Sequence, residues 1–492
     1  MADTAGPIDA GLPLAFVKAA EALLGATGWR TDPDTVEAAA TPWRGTYRGY
    51  TPAVACPGST EEVSALVKLC AAHGVAITPQ GGNTGLVDGG TPHGEIVISL
   101  RRMQTVRAVD PVNNAMTIEA GAPLALAQET ADEVNRLFPL SLASEGTATL
   151  GGLISTNAGG VAVLRYGMMR DLLLGIEVVL ANGDVLDGLS GLRKNNTGYD
   201  LKHLFAGAEG TLGIVTAATF KLFPKVAQAT AWIGCETPED VVEMLGLVRD
   251  RVGDTVTSFE IMPVNALAMV EADMPDVRDP LVCPAPWRVL CEVSMAEEHQ
   301  ARSGLETALE AAFEAGLAQD ALIAESLGQA QHFWRLRESI PLSKRAFGTS
   351  INHDVSVPIS AIPAFLEACK GALKAAVPQA EIVAFGHVGD GNLHYSACEP
   401  KDSETPHLAA HTDLITSIVH ETAMAHGGSI SAEHGVGRLK CEELVSIRPK
   451  AVTAVMLAIK AALDPQGIMN PGRVVPQKEP QALSADRVLV DL

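Results

Sequence analysis

Val75-Ala76-Ile77-Thr78-Pro79-Gln80-Gly81-Gly82-Asn83-Thr84-Gly85-Leu86 reads as a short buried strand that runs directly into a glycine-rich loop. Strand character resumes at Ile96-Val97-Ile98-Ser99-Leu100, so the segment is a strand–loop unit within a sheet. A loop of this kind exposes backbone N–H groups and suits a pyrophosphate. It contains neither a G-x-G-x-x-G fingerprint opening a helix nor a G-x-x-x-x-G-K-[ST] phosphate loop, which argues against both the Rossmann fold and a phosphoryl-transfer ATPase.

Working outward, residues 12–30 are expected to be helical. Thr60 is expected to cap a second helix, since Glu61 and Glu62 lead an apolar stripe of Val63, Leu66, Val67 and Leu69 that ends at His73-Gly74. Residues 147–160 are rich in glycine and small side chains, which lets a backbone approach a ligand closely. Residues 176–187 read as a hairpin around Asn182-Gly183. Gly207-Ala208-Glu209-Gly210-Thr211-Leu212-Gly213-Ile214-Val215 reads as loop into strand, and Phe223-Pro224-Lys225 as a domain boundary. Beyond it, helices at 238–251, 297–315, 407–426 and 450–463 and a strand at 286–294 predict an α+β second domain.

A second stretch carries chemistry. In Phe385-Gly386-His387-Val388-Gly389-Asp390-Gly391-Asn392-Leu393-His394-Tyr395, a turn over residues 389–392 puts His387 opposite His394. Directly opposed side chains lie ~4.5–5.5 Å apart at Cβ, near enough for two imidazoles to share one metal ion. Glu433, in Ser429-Ile430-Ser431-Ala432-Glu433-His434-Gly435-Val436-Gly437, completes a set of two nitrogens and an oxygen compatible with Zn2+, Mn2+ or Fe2+, so the ligand types alone do not name the ion. His434 is then free to act as a base. Adjacent residues serve one site only from a turn or loop, which the flanking glycines permit.

The 492 residues suffice for two to four domains. With 36 Lys+Arg against 58 Asp+Glu, a net charge of −22 and no basic run, the protein is unsuited to nucleic acid. The amino terminus lacks the pattern of a secretory signal and no 18-residue apolar run follows, so a soluble cytoplasmic protein without a membrane span is expected. Eight scattered cysteines, none in C-x2-C spacing, predict neither a disulfide framework nor an iron–sulfur cluster.

Taken in order, residues 79–86, 148–160, Arg165-Tyr166-Gly167, 207–215, 386–394, 433–437 and Asn470-Pro471-Gly472 resemble the FAD-linked D-2-hydroxyacid dehydrogenases. That group of vanillyl-alcohol-oxidase-like flavoproteins includes D-2-hydroxyglutarate dehydrogenases, D-lactate dehydrogenases and the flavin subunit of glycolate oxidase. The resemblance implies an α+β fold. An N-terminal helical segment (1–47) precedes a two-part FAD-binding domain (48–225), an α+β cap domain carrying the metal site (226–440) and a C-terminal helical segment returning to the FAD domain (441–492).

It also implies that Pro79, Gly81, Gly82, Asn83, Thr84, Gly85 and Leu86 wrap the pyrophosphate. Ser144, Gly146, Thr147, Gly151, Gly152, Ser155, Asn157, Gly159 and Gly160, with Glu209, Gly213, Ile214 and Asn470, would contact the rest of the cofactor. The loops at 79–90 and 144–160 contain no histidine to tether flavin, so FAD is expected to bind noncovalently. Carried over residue by residue, the family's site makes His387, His394 and Glu433 the metal ligands and His434 the base. Arg337 then holds a substrate carboxylate, and Asn392 reaches the substrate.

The implied activity is oxidation of a D-2-hydroxy acid such as D-2-hydroxyglutarate or D-lactate. Electrons would pass to an electron-transfer flavoprotein, quinone, cytochrome or partner subunit, and a homodimer is a further expectation. Two alternatives are a flavin subunit of a glycolate-oxidase-like complex and a flavoenzyme of the alkylglycerone-phosphate synthase type, without net oxidation. The sequence departs from the resemblance twice: Asn352 stands where relatives acting on 2-hydroxyglutarate tend to carry lysine, and Arg473 stands where the tail motif usually has lysine.

Overall fold

The computed structural model describes residues 11–45, 47–400 and 408–477. The start of the sequence, read above as free of a signal, and the first residue of the expected 407–426 helix lie outside them.

Two small sheets share one core. Ile77–Gln80 and Ile96–Ser99 pair in parallel, with Val54–Ala55 and Trp29–Arg30 completing a four-stranded sheet. The second is a five-stranded antiparallel sheet in the order Val106–Asp110, Ala115–Glu119, Ile214–Lys221, Leu173–Val179, Val185–Gly188. The Leu173–Val179 and Val185–Gly188 strands are joined through Asn182-Gly183, where Gly183 takes φ +81°. That is the left-handed conformation for which glycine is favoured.

The helix Leu14–Gly28 forms on the anticipated stretch, and Thr60–His73 follows with a one-residue shift of its cap. Ser59, not Thr60, accepts the N–H of Glu62, and Thr60 faces inward to the carboxylate of Glu177 at 2.7 Å. Apolar residues from Phe16 to Leu222 close over both sheets, and Ile468 and Met469 of the tail join them. Asn470 donates its backbone N–H to the Ile77 carbonyl, and Arg473 is fully buried in an ion pair with Glu95.

After Phe223–Pro224, which pairs with Arg136–Leu137, a seven-stranded antiparallel sheet begins. Its order is Asp320–Ile323, Ala227–Cys235, Trp287–Met295, Val256–Pro263, Glu381–His387, Asn392–Cys398, Ser350–Ser356. Helices Pro238–Val252, Glu298–Glu314, Ile362–Ala376 and Thr412–Ala425 cover one face. Thr237 and Asp240 form a reciprocal capping box at the start of the first of these. On the other face, Val264–Asp273 and Leu327–Phe347 bury Leu267, Phe333, Leu336 and Ile340 against Trp232, Leu290 and Phe385.

Arg337 and Lys344 lie seven residues apart on the latter helix, hence on one face, and both are buried.

Candidate active site

The parallel strand Ile77–Gln80 delivers the loop 81–90 to one end of the first domain. Gln80 closes the loop by donating Nε2–H to the carbonyls of Ala39 and Gly90, each at 2.8 Å. Asn83, at φ +54°, anchors the loop to the carbonyls of Ala38 and Thr41 rather than aiming its amide at a ligand. Among the described residues, the backbone N–H groups of Gly81 to Gly85 have no acceptor. A row of unpaired donors is what a pyrophosphate requires. The glycines also serve packing: a Cβ on Gly81 would run into Thr149, and one on Gly82 into the Thr147 carbonyl.

The cavity over this loop is lined by residues 79–91, by residues between Leu142 and Ala158, by 209–215 in part, and by Glu433 and His434. Pro79, Gly81, Gly82, Asn83, Thr84, Gly85, Leu86, Ser144, Gly151, Gly152, Ser155, Glu209, Gly213 and Ile214 all stand on that wall. Gly146, Thr147, Asn157, Gly159, Gly160 and Asn470 do not. Gly146 has open space around it, and Thr147 hydrogen-bonds back to Ser144. Asn157 ends a helix in left-handed conformation and accepts the Arg170 N–H. Asn470 clasps the carbonyls of Gly89 and Glu209.

Glu209 lies on the wall, but its carboxylate accepts the N–H groups of Val436 and Gly437 at 2.8 Å each. It thereby pins the glutamate–histidine loop to the cavity. Burial raises its pKa, against the two N–H groups.

That loop places Glu433 and His434 at the junction of the two domains. Glu433 accepts the Gly160 N–H at 3.2 Å, and Gly159 leaves room for the same oxygen. Donor atoms of His387, His394 and Glu433 lie within 4.8 Å of one another. The hairpin reaches this arrangement in a different register from the expected one. His387 faces Asn392, and His394 faces Phe385. The turn sits closer to His387 because Gly391 adopts φ +84° and its N–H bonds the carbonyls of His387 and Val388. A slip of two residues keeps both imidazoles on one face as diagonal neighbours, with ring centroids 5.5 Å apart.

Two buried carboxylates, Glu260 and Asp354, surround the histidines. Glu260 accepts from His387 Nδ1 at 2.6 Å and from Arg337 Nε at 2.8 Å. Burial works against ionising either partner, but their mutual attraction wins: His387 is pushed up to about 9 and Glu260 down to about 2. Burial and the neighbouring His387 hold His394 well below its ordinary value. Asp354 accepts the backbone N–H groups of Glu433 and His434 at 2.9 Å each and the Asn392 amide at 2.8 Å. Despite burial, His434 and His394 and those N–H groups hold its pKa well below the usual range.

Asn392 uses both amide hydrogens structurally, on Asp354 and the Val355 carbonyl, while its buried Oδ1 has no partner among the described residues. Arg337 keeps its two terminal nitrogens free of hydrogen-bond partners among the described residues. Sequence reasoning singled out neither Glu260 nor Asp354 as a site residue.

A glycine-loop cavity between a two-part domain and an antiparallel cap is the fold expected of a vanillyl-alcohol-oxidase-like flavoprotein. Comparison with solved structures agrees. The fold is similar to p-cresol methylhydroxylase (TM-score 0.75, 20% identity, 94% of this chain and 96% of that one). It is also similar to 4-ethylphenol oxidase from Gulosibacter chungangensis (TM-score 0.71, 20% identity, 94% and 97%).

The sequence matches the FAD binding domain family over residues 51–188 and the FAD linked oxidases, C-terminal domain, over 225–474. It is 36% identical to the mitochondrial D-2-hydroxyglutarate dehydrogenase of Arabidopsis thaliana, over 92% of this chain and 80% of that protein. It is also 36% identical to the D-2-hydroxyglutarate dehydrogenase of Xanthomonas citri pv. viticola, over 90% and 93%. The chain belongs to the FAD-linked oxidase family, among its FAD-dependent D-2-hydroxyacid dehydrogenases.

Proposed function

We propose that this enzyme oxidises a D-2-hydroxy acid to the 2-oxo acid at noncovalently bound FAD with the help of a divalent metal ion, and hands the electrons to an external acceptor. One observation carries the reading: the unpaired N–H groups of residues 81–85 and the imidazole–carboxylate cluster border a single cavity, with His434 on its wall.

The donor set fits a metal ion. Glu260 occupies His387 Nδ1, which leaves Nε2 as the ligand atom and fixes the ring's orientation, the usual support for a ligating histidine. Zn2+ suits two imidazoles and a carboxylate, and Mn2+ or Fe2+ suit them as well. When bound, the ion would supply Lewis-acid polarisation of the substrate oxygen, and the flavin would supply a two-electron acceptor.

The protein's own residues do the rest. The free terminal nitrogens of Arg337 offer a carboxylate a bidentate fork. His434 takes the hydroxyl proton, and Asp354, 3.7 Å from its Nδ1, stabilises the imidazolium formed. Asn392 Oδ1 offers one buried acceptor toward the site. An external acceptor, such as an electron-transfer flavoprotein, quinone or cytochrome, is supported by the cysteine spacing, which has no C-x2-C run for an internal relay.

The test is anaerobic mixing of the yellow protein with D- and L-2-hydroxy acids, with and without chelator. Bleaching of the oxidised flavin by D isomers alone, suppressed by chelator, is expected. A flavin left oxidised by every D-2-hydroxy acid overturns the reading.

A further inference from the structure

The short helix Val163–Tyr166 belongs to the FAD-binding domain, yet it reaches across the junction into the cap. Tyr166 packs with the core of its own domain, whereas Leu164 packs with that of the cap. Arg165 donates to the Ser294 carbonyl, and Ser258 Oγ donates to the Val161 carbonyl at 2.8 Å. Ser258 and Ser294 lie on adjacent strands of the seven-stranded sheet, so both backbone and side chains fasten this segment to the cap.

Leu164 ends on the turn that follows His387. A Cβ built on Gly389 would overlap the end of the Leu164 side chain, which supplies the three atoms nearest to it. Arg249, from a cap helix, holds the same residue by donating to the Gly389 carbonyl at 3.2 Å. Just upstream, Gly160 donates its N–H to Glu433 Oε1 at 3.2 Å. A Cβ on Gly160 would strike the Ser141 carbonyl, so this approach, at φ +91°, needs glycine. The hairpin of His387 and the carboxylate of Glu433 therefore both rest on residues 160–164. That stretch continues directly from the small-residue wall of the cofactor cavity, which it leaves at Ala158.

We infer that residues 160–164, with Leu164 as the positioning residue, link the two sites, so that bound FAD raises the affinity for the metal ion and the metal ion raises that for FAD. The inference rests on the proposed noncovalent FAD and divalent ion, and extends that reading to the coupling between them. A ligand that favours one arrangement of a segment strengthens any other ligand that needs the same arrangement. FAD in the cavity would hold its wall, the metal ion would hold Glu433 and the hairpin, and Gly160 and Leu164 lie between. By reciprocity the two effects are equal in size.

The experiment measures the dissociation constant of FAD on the full-length protein, from the flavin fluorescence that release uncovers, with Zn2+ bound and after chelator treatment. Wild type is compared with Leu164→Ala, Gly389→Ala and the double variant Leu164→Ala/Gly389→Ala, with circular dichroism as the check on folding. In wild type, Zn2+ should tighten FAD by about 5- to 150-fold, the usual span for coupled sites. Each single variant should lose most of that factor. A merely structural role for Leu164 would weaken FAD with and without Zn2+ alike and leave the factor where it was. In the double variant the shortened side chain makes room for the new methyl group, and part of the factor should return.

A wild-type factor near one, with Zn2+ shown by calorimetric titration to be bound, overturns the linkage and leaves the metal site standing. A factor as large in Leu164→Ala as in wild type, or a double variant no better than Gly389→Ala, overturns the role of Leu164. Should Gly389→Ala fail to fold, wild type and Leu164→Ala still decide. Should the titration detect no Zn2+ binding, the metal reading fails and the linkage falls with it.

Discussion

Glu260 stands 2.6 Å from Nδ1 of His387 and turns its other oxygen to Arg337, so one buried carboxylate fixes both an imidazole of the metal cluster and the guanidinium beside it. Glu260→Gln keeps the shape and removes the charge. Support of this kind is typically worth about 10–100-fold in metal affinity, and a loss of that size is expected in a Zn2+ titration of the chelator-treated protein. The sign of the proton balance is also set. His387 in the metal-free protein is pushed up to about 9, hence protonated near neutral pH, and a metal ion takes imidazole only in its neutral form. Zn2+ binding in weakly buffered solution should therefore release a proton in wild type, and less in Glu260→Gln. Equal release and equal affinity in the two proteins would discount the role of Glu260.

His434 is placed for proton transfer by its backbone, since Asp354 holds its N–H at 2.9 Å and that of Glu433 at the same distance. His434→Ala should lower turnover by about 10²- to 10⁴-fold, the usual worth of a general base, with the flavin still bound. The flavin spectrum and the rate of anaerobic flavin reduction are the two measurements. Near-normal reduction would remove His434 from the chemistry.

The parts of this site legible in the sequence are those whose chemistry is contiguous. The loop at 79–86, the small-residue run at 148–160, the two histidines of one hairpin and the Glu433-His434 pair each announce themselves locally. The hairpin register was less legible, because glycines at 389 and 391 flank the aspartate and allow the turn to form at either of two places. Glu260 has no local signature. Its partner His387 lies 127 positions away in sequence, and only the order of strands in the cap sheet brings the two together. Among the cap helices, Pro238–Val252 falls on the stretch 238–251 expected from apolar periodicity, whereas Leu327–Phe347 carries Pro341 inside it, a residue that ordinarily argues against a helix interior.

Gly82 and Gly85 make a matched pair for separating packing from ligand contact. A Cβ on Gly82 would overlap the Thr147 carbonyl, a backbone atom that cannot step aside, whereas one on Gly85 meets nothing within 4 Å. Gly82→Ala should destabilise the flavin-free protein by about 1–3 kcal/mol, the usual range for overpacking. Gly85→Ala should remain close to wild type in the same denaturant titration. Equal stability of the two variants would show that loops 81–85 and 147–149 do not need their close approach.

Outside the lining of the cofactor cavity, Glu177 ties a helix to two strands: its Oε1 accepts the hydroxyls of Thr60 and Thr216 at 2.7 Å each, and Arg107 reaches both oxygens at 3.2 Å. Burial opposes its ionisation, but Arg107 and the two hydroxyls outweigh burial, so its folded pKa lies below the ordinary value. A carboxylate depressed in this way contributes stability that is present above its unfolded pKa and disappears as the pH falls through the folded one. Glu177→Gln should therefore be less stable than wild type by about 1–2 kcal/mol near neutral pH, as expected for hydrogen bonds to a charged group. The gap should narrow steadily on acidification below the ordinary carboxylate range. Denaturant titrations of both proteins across that range measure it, and a gap that widens with acid would mean that Glu177 is held protonated in the folded state.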